Sequence, residues 1–174
     1  MSVVVWSMMP ELTSRIRTRI TQAPNPCRRR LRTKVDGIPH PVLIVKLSDD
    51  LLALLRRPST CYLATSMADG SPQVTQTWVD TDGEHVIINT VQSHLKVRNI
   101  ERDPRVAVAI SSPDNPSRYY QVRGRVVSMT TDGGVEHIEM LSMKYTGRPY
   151  PWYGGRDQVR VILTIEPEHV SGIR

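Results

Sequence analysis

The strongest constraint on the fold is a series of short β-strand patterns separated by two Asp-Gly pairs. Asp69-Gly70 lies between residues 60–67 and 73–80, and Asp82-Gly83 lies between residues 73–80 and 84–90. Asp-Gly between two such runs is a strong short-range signal for a β-hairpin. The sequence therefore predicts three antiparallel strands in meander order.

The remaining periodic segments add strands and short helices. Ser48 as N-cap and Pro58 as terminator predict a first helix, and Ser93 as N-cap predicts a second over residues 94–102. A third, over residues 133–145, is predicted from the apolar stripe Val135, Ile138, Leu141 and Met143. Further strands are predicted at 106–110, 119–129 and 159–165, with an edge pairing at 169–173. This order predicts a mainly β (α+β) fold, a closed or nearly closed barrel of six strands.

Charge divides the chain into two parts. Residues 1–47 carry nine Lys or Arg and two Asp or Glu, whereas residues 48–174 carry fourteen and fifteen. The high pI, about 9.7, thus belongs to the N-terminal segment, so we expect no nucleic-acid partner for the folded domain. We interpret 48–174 as the domain and 1–47 as a basic Arg- and Pro-rich extension. A disordered tail, a transit peptide and a wrongly chosen start codon stay open for that extension.

Several function classes lack their sequence signals. The longest apolar run is far below 18 residues, which predicts no membrane span. Cys27 and Cys61 have no Cys-x-x-Cys spacing, which favours a reducing, cytoplasmic location and argues against a zinc site. The five histidines show no metal spacing, so no metal is expected. Nucleophile-elbow, Walker and Rossmann motifs are absent, and the catalytic residues stay unknown.

The stretch 93–106 carries the most information about function. It places a helix N-terminus directly after a strand, and such a terminus presents unpaired N–H groups to a phosphate. Ser93 can donate its hydroxyl, and Lys96 lies one turn further along. An ordinary surface helix with a serine cap and solvated cations is the alternative interpretation.

The ordered set of motifs resembles the pyridoxamine-phosphate-oxidase-like flavin/deazaflavin oxidoreductases, over residues 48–173. Three matching stretches lie in the first half of the domain: Leu-Ser-Asp-Asp-Leu-Leu at 47–52, Cys-Tyr-Leu-Ala-Thr-Ser at 61–66 and Asp-Gly-Ser-Pro-Gln-Val at 69–74. Two more follow: Lys-x-x-Asn-x-x-Arg-Asp-Pro-Arg-Val at 96–106, where x is any residue, and Tyr-Gln-Val-Arg-Gly at 120–124. The subgroup most resembled is the actinobacterial one that uses coenzyme F420, a deazaflavin with a phospholactyl-oligoglutamate tail. Of 23 basic residues 19 are Arg, which agrees with such a source.

The resemblance implies a six-stranded split β-barrel of the FMN-binding type. It implies a homodimer with the cofactor at the subunit interface, a small-molecule substrate, and no nucleic acid or membrane partner. The cofactor-binding positions that it implies are Gln73, Thr75, Thr77, Trp78, Asn89, Thr90, Ser93, Lys96, Arg98, Asn99, Arg118 and Tyr119. It also suggests Trp152 and Tyr153 for closing the ring pocket, with a hydrophobic dimer contact as the alternative.

The cofactor expected from this pattern is F420, with FMN as the alternative. Pyridoxamine-phosphate oxidases proper carry a basic strand for the FMN phosphate, whereas residues 73–78 here read Gln-Val-Thr-Gln-Thr-Trp. We therefore expect an F420H2-dependent reductase that transfers hydride to an electron-poor double bond. An FMN-dependent oxidase or reductase and a non-catalytic flavin- or deazaflavin-binding protein are the competing interpretations.

Overall fold

The computed structural model describes residues 45–173, so the predicted extension at 1–47 lies almost wholly outside the described residues. Three helices and seven strands make up this part of the chain. The helices are α1 Asp49–Arg56, α2 Leu95–Arg102 and α3 Gly134–Thr146. The strands are β1 Thr60–Ser66, β2 Pro72–Thr77, β3 Val79–Thr81, β4 Val86–Val91, β5 Arg105–Ser111, β6 Tyr119–Thr130 and β7 Arg160–Ile173.

All seven strands belong to one antiparallel sheet in the order β2-β1-β5-β6-β7-β4-β3. β2 and β3 are its opposite edges, yet only Trp78 separates them in the chain. The sheet must therefore curl until its two edges approach each other at Trp78, which is the geometry of a split barrel. The predicted mainly β split-barrel fold is confirmed.

Two strand predictions were wrong in detail. Residues 73–80 form two strands, β2 and β3, because the chain leaves one edge of the sheet at Trp78 and joins the other. The barrel consequently has seven described strands instead of six, and two hairpins replace the predicted meander. At the C-terminus β7 is one continuous strand, and it stays paired with β6 through two register shifts.

The core fills the inside of the curled sheet, and α1 covers one opening with two fully buried side chains, Leu51 and Leu55. Inward-facing residues alternate along the strands; in β6, for example, Tyr120 and Val122 are buried between exposed neighbours. Ser48 caps α1 as predicted, since its Oγ accepts a hydrogen bond from the Leu51 N–H at 3.4 Å.

The two other helices depart from their predicted boundaries or faces. His94, not Ser93, is the N-cap of α2, and its side chain makes no capping hydrogen bond. The buried side of α3 consists of Gly134, His137, Ile138, Leu141 and Ser142. Val135 and Met143 are exposed instead. Residues three and four apart share one face of a helix, so the buried face that contains Ile138 and Leu141 also contains positions 137 and 142.

Candidate functional site

A cavity of about 440 Å³ opens where β4, β7 and the N-terminus of α2 meet. The junction between β2 and β3 forms one side, and the loop between α3 and β7 forms another. Its walls combine polar, cationic and aromatic side chains. The lining residues are Gln76, Thr77, Trp78, Asn89, Thr90, His94, Lys96, Ile138, Tyr150, Tyr153 and Arg160.

Two buried cations face this cavity. Lys96 is 8% exposed and Arg160 is 7% exposed. Within residues 45–173 neither side chain belongs to an ion pair, and the ammonium group of Lys96 has no hydrogen-bond partner. Burial lowers the pKa of Lys96, and the charge of Arg160 lowers it further. Because an uncompensated buried charge is costly, this pair is suited to receive an anion.

His94 adds a third titratable group beside the two cations. Its Nδ1 lies 3.2 Å from the Thr90 hydroxyl oxygen, within hydrogen-bond distance. Burial lowers the pKa of His94, and the charges of Lys96 and Arg160 lower it further. The imidazole is therefore neutral at neutral pH, and an anion bound among the three groups would favour its protonation.

Asn89, which also lines the cavity, holds Arg160 in position. Its Oδ1 accepts a hydrogen bond from Arg160 Nε at 2.9 Å, and its Nδ2 donates to the Gly134 carbonyl at 2.8 Å. The same Nδ2 lies 3.4 Å from His137 Nδ1, so the amide is held on both sides. This network holds the side chain of Arg160, which lines the cavity.

An acidic group behind this network completes it. Asp80 lies 3.6 Å from His137 Nε2 and 3.1 Å from the Lys144 ammonium group. Burial alone would raise the pKa of Asp80, but the His137 hydrogen bond and the Lys144 charge outweigh it and lower that pKa to about 2. Asp80 is thus ionised and paired away from the cavity, and it does not neutralise Lys96 or Arg160.

Aromatic rings form a further part of the cavity wall, and one of them, Tyr150, lies 5.0 Å from the Arg160 guanidinium. Trp78 stacks on Tyr145 with ring centroids 5.1 Å apart, and Tyr150 meets Trp78 edge-on at 6.0 Å. Tyr150 also contacts Trp152 and Tyr153 at 5.4 and 5.8 Å. The Tyr150 ring is nearly perpendicular to those of Trp78, Trp152 and Tyr153, so a flat conjugated group would stack on one ring of this wall while its anionic end reaches the cations.

Five of the predicted cofactor-binding residues line this one cavity: Thr77, Trp78, Asn89, Thr90 and Lys96. Two others lie in a neighbouring polar network, where Asn99 Nδ2 donates to Gln73 Oε1 and to the Thr65 hydroxyl, both at 3.0 Å. Thr75 lies between Gln73 and Thr77 on β2. Its Oγ1 is buried without a hydrogen-bond partner in the described part of the chain.

The other predicted positions lie apart from the cavity within one chain. Ser93 is exposed, and its carbonyl oxygen accepts a hydrogen bond from Arg98 at 3.3 Å. Arg118 lines a separate hollow next to α1, and Tyr119 lies on the outer face of β6. Tyr153 borders the cavity, whereas Trp152 does not line it. A role in ligand binding stays a prediction for all twelve positions.

Sequence reasoning missed Gln76, His94, Tyr150 and Arg160. A signal existed for Arg160, because it is a charged residue directly before the apolar run 161–163. The register places Arg160 opposite Val91, one residue after Thr90. His94 lies between the two residues that were singled out, Ser93 and Lys96. Tyr150 had no local signal, since only the folded loop brings it to the cavity.

Within residues 45–173, no group of three or more His, Cys, Asp or Glu side chains has a metal-binding arrangement. The helices of this region are too short and too polar for any of them to cross a membrane.

Comparison with known proteins identifies related sequences and structures. The family model for pyridoxamine 5'-phosphate oxidase matches residues 47–174. A solved structure named F420 reductase is 34% identical, with a TM-score of 0.64, over 72% of this chain and 98% of that chain.

Two further solved structures resemble the chain in fold alone. A putative pyridoxamine 5'-phosphate oxidase from Listeria innocua is 24% identical, with a TM-score of 0.55, over 72% of this chain and 96% of its own. A conserved hypothetical protein from Mycobacterium tuberculosis is 22% identical, with a TM-score of 0.58, over 74% of this chain and 85% of its own.

Proposed function

We propose that this chain, which belongs to the pyridoxamine 5'-phosphate oxidase family, is an oxidoreductase that binds coenzyme F420 in the cavity beside Lys96. The observation that carries the proposal is a pair of buried cations, Lys96 and Arg160, that belong to no ion pair within residues 45–173 and lie beside an aromatic wall. Such a pair suits the phosphate of a cofactor, and such a wall suits its ring system. The likeness to a protein named F420 reductase favours the deazaflavin.

The residues of the cavity fit this group by their chemistry. Lys96 and Arg160 would hold the phosphate as charge-assisted donors, and Asn89 keeps the Arg160 guanidinium in place. Trp78 and Tyr150 would lie against the ring.

The reduced deazaflavin, when bound, supplies the hydride for an electron-poor double bond of a small organic substrate. The protein's share is binding, orientation and exclusion of water. Stacking on one ring of the aromatic wall would orient a flat group, and the cations would hold its anionic end. Tyr153 is 83% exposed at the rim, where it can approach a substrate entering from solvent.

FMN is the second candidate, and one observation favours it. The cations expected to hold a long anionic tail are not gathered at the cavity. Arg98 and Arg102 donate to the backbone carbonyls of Ser93 and Ser66, and Arg118 lines another hollow. The compact pair of Lys96 and Arg160 is sufficient for a single phosphate, which FMN carries at its end.

We further propose that the protein works as a homodimer. The outer face of β1, β2, β5 and β6 is rich in small and apolar residues, with Tyr62, Val74 and Tyr119 all at least 39% exposed. Gln76 pairs with Tyr62 on this face and also lines the cavity. A second copy on this face would therefore border the cavity and bring its own residues to the rim.

Separate titrations with F420, FMN and riboflavin test the proposal. The readout is quenching of tryptophan fluorescence, to which Trp78 at the cavity contributes. We expect micromolar binding of F420, weaker binding of FMN, and the weakest binding for riboflavin, which lacks the phosphate. Oxidation of F420H2 by an activated enone then tests for turnover. If FMN co-purifies stoichiometrically or binds as tightly as F420, the FMN assignment replaces ours. Equal binding of FMN and riboflavin would contradict the phosphate site.

A further inference from the structure

A single carboxylate on α3 holds the loop that forms the aromatic wall. Glu139 Oε2 accepts a hydrogen bond from the Tyr150 backbone N–H at 2.8 Å. Its Oε1 accepts one from the Trp152 indole Nε1 at 3.1 Å. Glu139 does not itself line the cavity. Both of its oxygens are thus directed to the loop 147–158, and neither to a ligand.

The loop adopts a conformation that needs such support. Trp152 has a φ of 49°, in the left-handed region that residues other than glycine rarely adopt. Its indole lies between the Tyr150 ring, with centroids 5.4 Å apart, and the Arg156 guanidinium at 5.3 Å. Backbone strain of this kind persists only where surrounding contacts impose it. Glu139 supplies one of these contacts, a charge-assisted hydrogen bond from the indole.

The anchored loop determines the shape of the cavity. Tyr150, fixed through its backbone N–H, places its ring 5.0 Å from the Arg160 guanidinium and 6.0 Å from Trp78. Tyr153 contacts the same ring at 5.8 Å and lines the cavity beyond it. Release of the loop from α3 would therefore move two rings of the wall and remove the aromatic partner of Arg160.

We propose that Glu139 is a positioning residue for the candidate site. It sets the conformation of the loop 147–158, so that the nearly perpendicular rings of Tyr150 and Tyr153 both line the cavity, with Tyr150 beside Arg160. Aromatic rings beside a guanidinium favour a ligand that has both a conjugated part, which can pack against a ring, and an anionic group. The inference rests on the proposed function for the identity of the ligand, but the positioning of the loop can be measured without any ligand.

The experiment compares Glu139→Gln and Glu139→Ala with the matched control Glu136→Gln. Glu136 lies in the first turn of the same helix, is exposed, and makes no hydrogen bond or ion pair in the described residues. Trp152→Phe removes one donor and keeps the carboxylate, so it probes the same contact from the other side. The readouts are near-UV circular dichroism of the aromatic cluster, thermal unfolding, and titration with F420 and FMN.

We expect both Glu139 variants to change the near-UV signal while the far-UV signal stays that of the folded protein. Affinity for the better-binding cofactor should fall about tenfold, which corresponds to about 1.4 kcal/mol. Trp152→Phe should lower it less, and combining it with Glu139→Gln should add little. Glu136→Gln should match the wild type in every readout.

Two results would overturn the inference. An unchanged near-UV signal in Glu139→Ala would show that the carboxylate does not hold the loop. A changed signal with unchanged affinity would show that the loop does not shape the site. If the wild type binds neither cofactor, the proposed function fails, and the near-UV comparison still decides whether Glu139 positions the loop.

Discussion

Replacement of Lys96 by methionine should stabilise the ligand-free protein. Lys96 is buried, and burial and Arg160 lower the pKa of its ammonium group, so the folded state disfavours the charged form. This cost is present at every pH below the folded-state pKa and disappears above the unfolded-state pKa. Methionine has similar length and no charge. We expect Lys96→Met to raise the free energy of unfolding at neutral pH by about 1 kcal/mol, or the thermal midpoint by about 2–4 °C.

The same substitution should weaken cofactor binding. A charge-assisted hydrogen bond contributes about 1.5–3 kcal/mol, so the dissociation constant should rise about ten- to hundredfold. Thermal unfolding without ligand and fluorescence titration with F420 and FMN measure the two effects on one protein preparation. A substitution that raises the stability of the protein and weakens ligand binding is typical of a residue that serves binding and not folding.

Lys144→Met is the matched control. The Lys144 ammonium group donates to the backbone carbonyls of Leu55 and Val79 and lies 3.1 Å from Asp80. Its removal leaves three acceptors without their donor and should cost about 2 kcal/mol or more. Two results would refute our interpretation that Lys96 is a cation without an ion-pair partner within residues 45–173 and binds the anionic group of a ligand. One is that Lys96→Met destabilises the protein as much as Lys144→Met, and the other is that it leaves cofactor binding unchanged.

Three further predictions follow from the site and the sheet. Asn89→Leu should lower the free energy of unfolding by about 1–3 kcal/mol and weaken cofactor binding, because Arg160 loses its acceptor. Urea unfolding measures the first effect and titration the second, and an unchanged affinity would contradict the role of Asn89. Burial lowers the pKa of His94, and the charges of Lys96 and Arg160 lower it further. A bound anion offsets that repulsion, so sulfate, whose charge is constant between about pH 5 and 8, should bind more tightly as the pH falls. Calorimetry should show proton uptake that His94→Asn removes, and a flat pH profile in the wild type would argue against it. Gly124→Ala should cost about 2 kcal/mol or more, because a Cβ there would overlap the Glu166 carbonyl oxygen at the register shift between β6 and β7; a thermal midpoint equal to that of the wild type would exclude this.

The two hairpins were predictable from local sequence signals. Asp69-Gly70 and Asp82-Gly83 each join two paired strands, as predicted. The break at Trp78 was not accessible, because residues 73–80 alternate without a glycine or proline. What separates β2 from β3 is the closure of the barrel, a property of the whole sheet and not of the residues at the break.

The site was predicted in part for the same reason. Lys96 was singled out because a cation one turn into a helix after a strand has a local signature. Its partner Arg160 belongs to a strand 64 positions later in the chain, and only the β4–β7 register brings the two together. The burial of His137 beside Asp80 was not predictable either, because it depends on which face α3 turns to the sheet.

A crystal structure of the protein with F420 would show directly whether Lys96 and Arg160 bind the cofactor. We expect the phosphate to lie within hydrogen-bond distance, about 2.7–3.2 Å, of both Lys96 Nζ and the Arg160 guanidinium. We also expect the deazaflavin ring to lie against Trp78 or Tyr150. A cofactor ordered at another place on the protein, with neither cation in contact with its phosphate, would contradict the account.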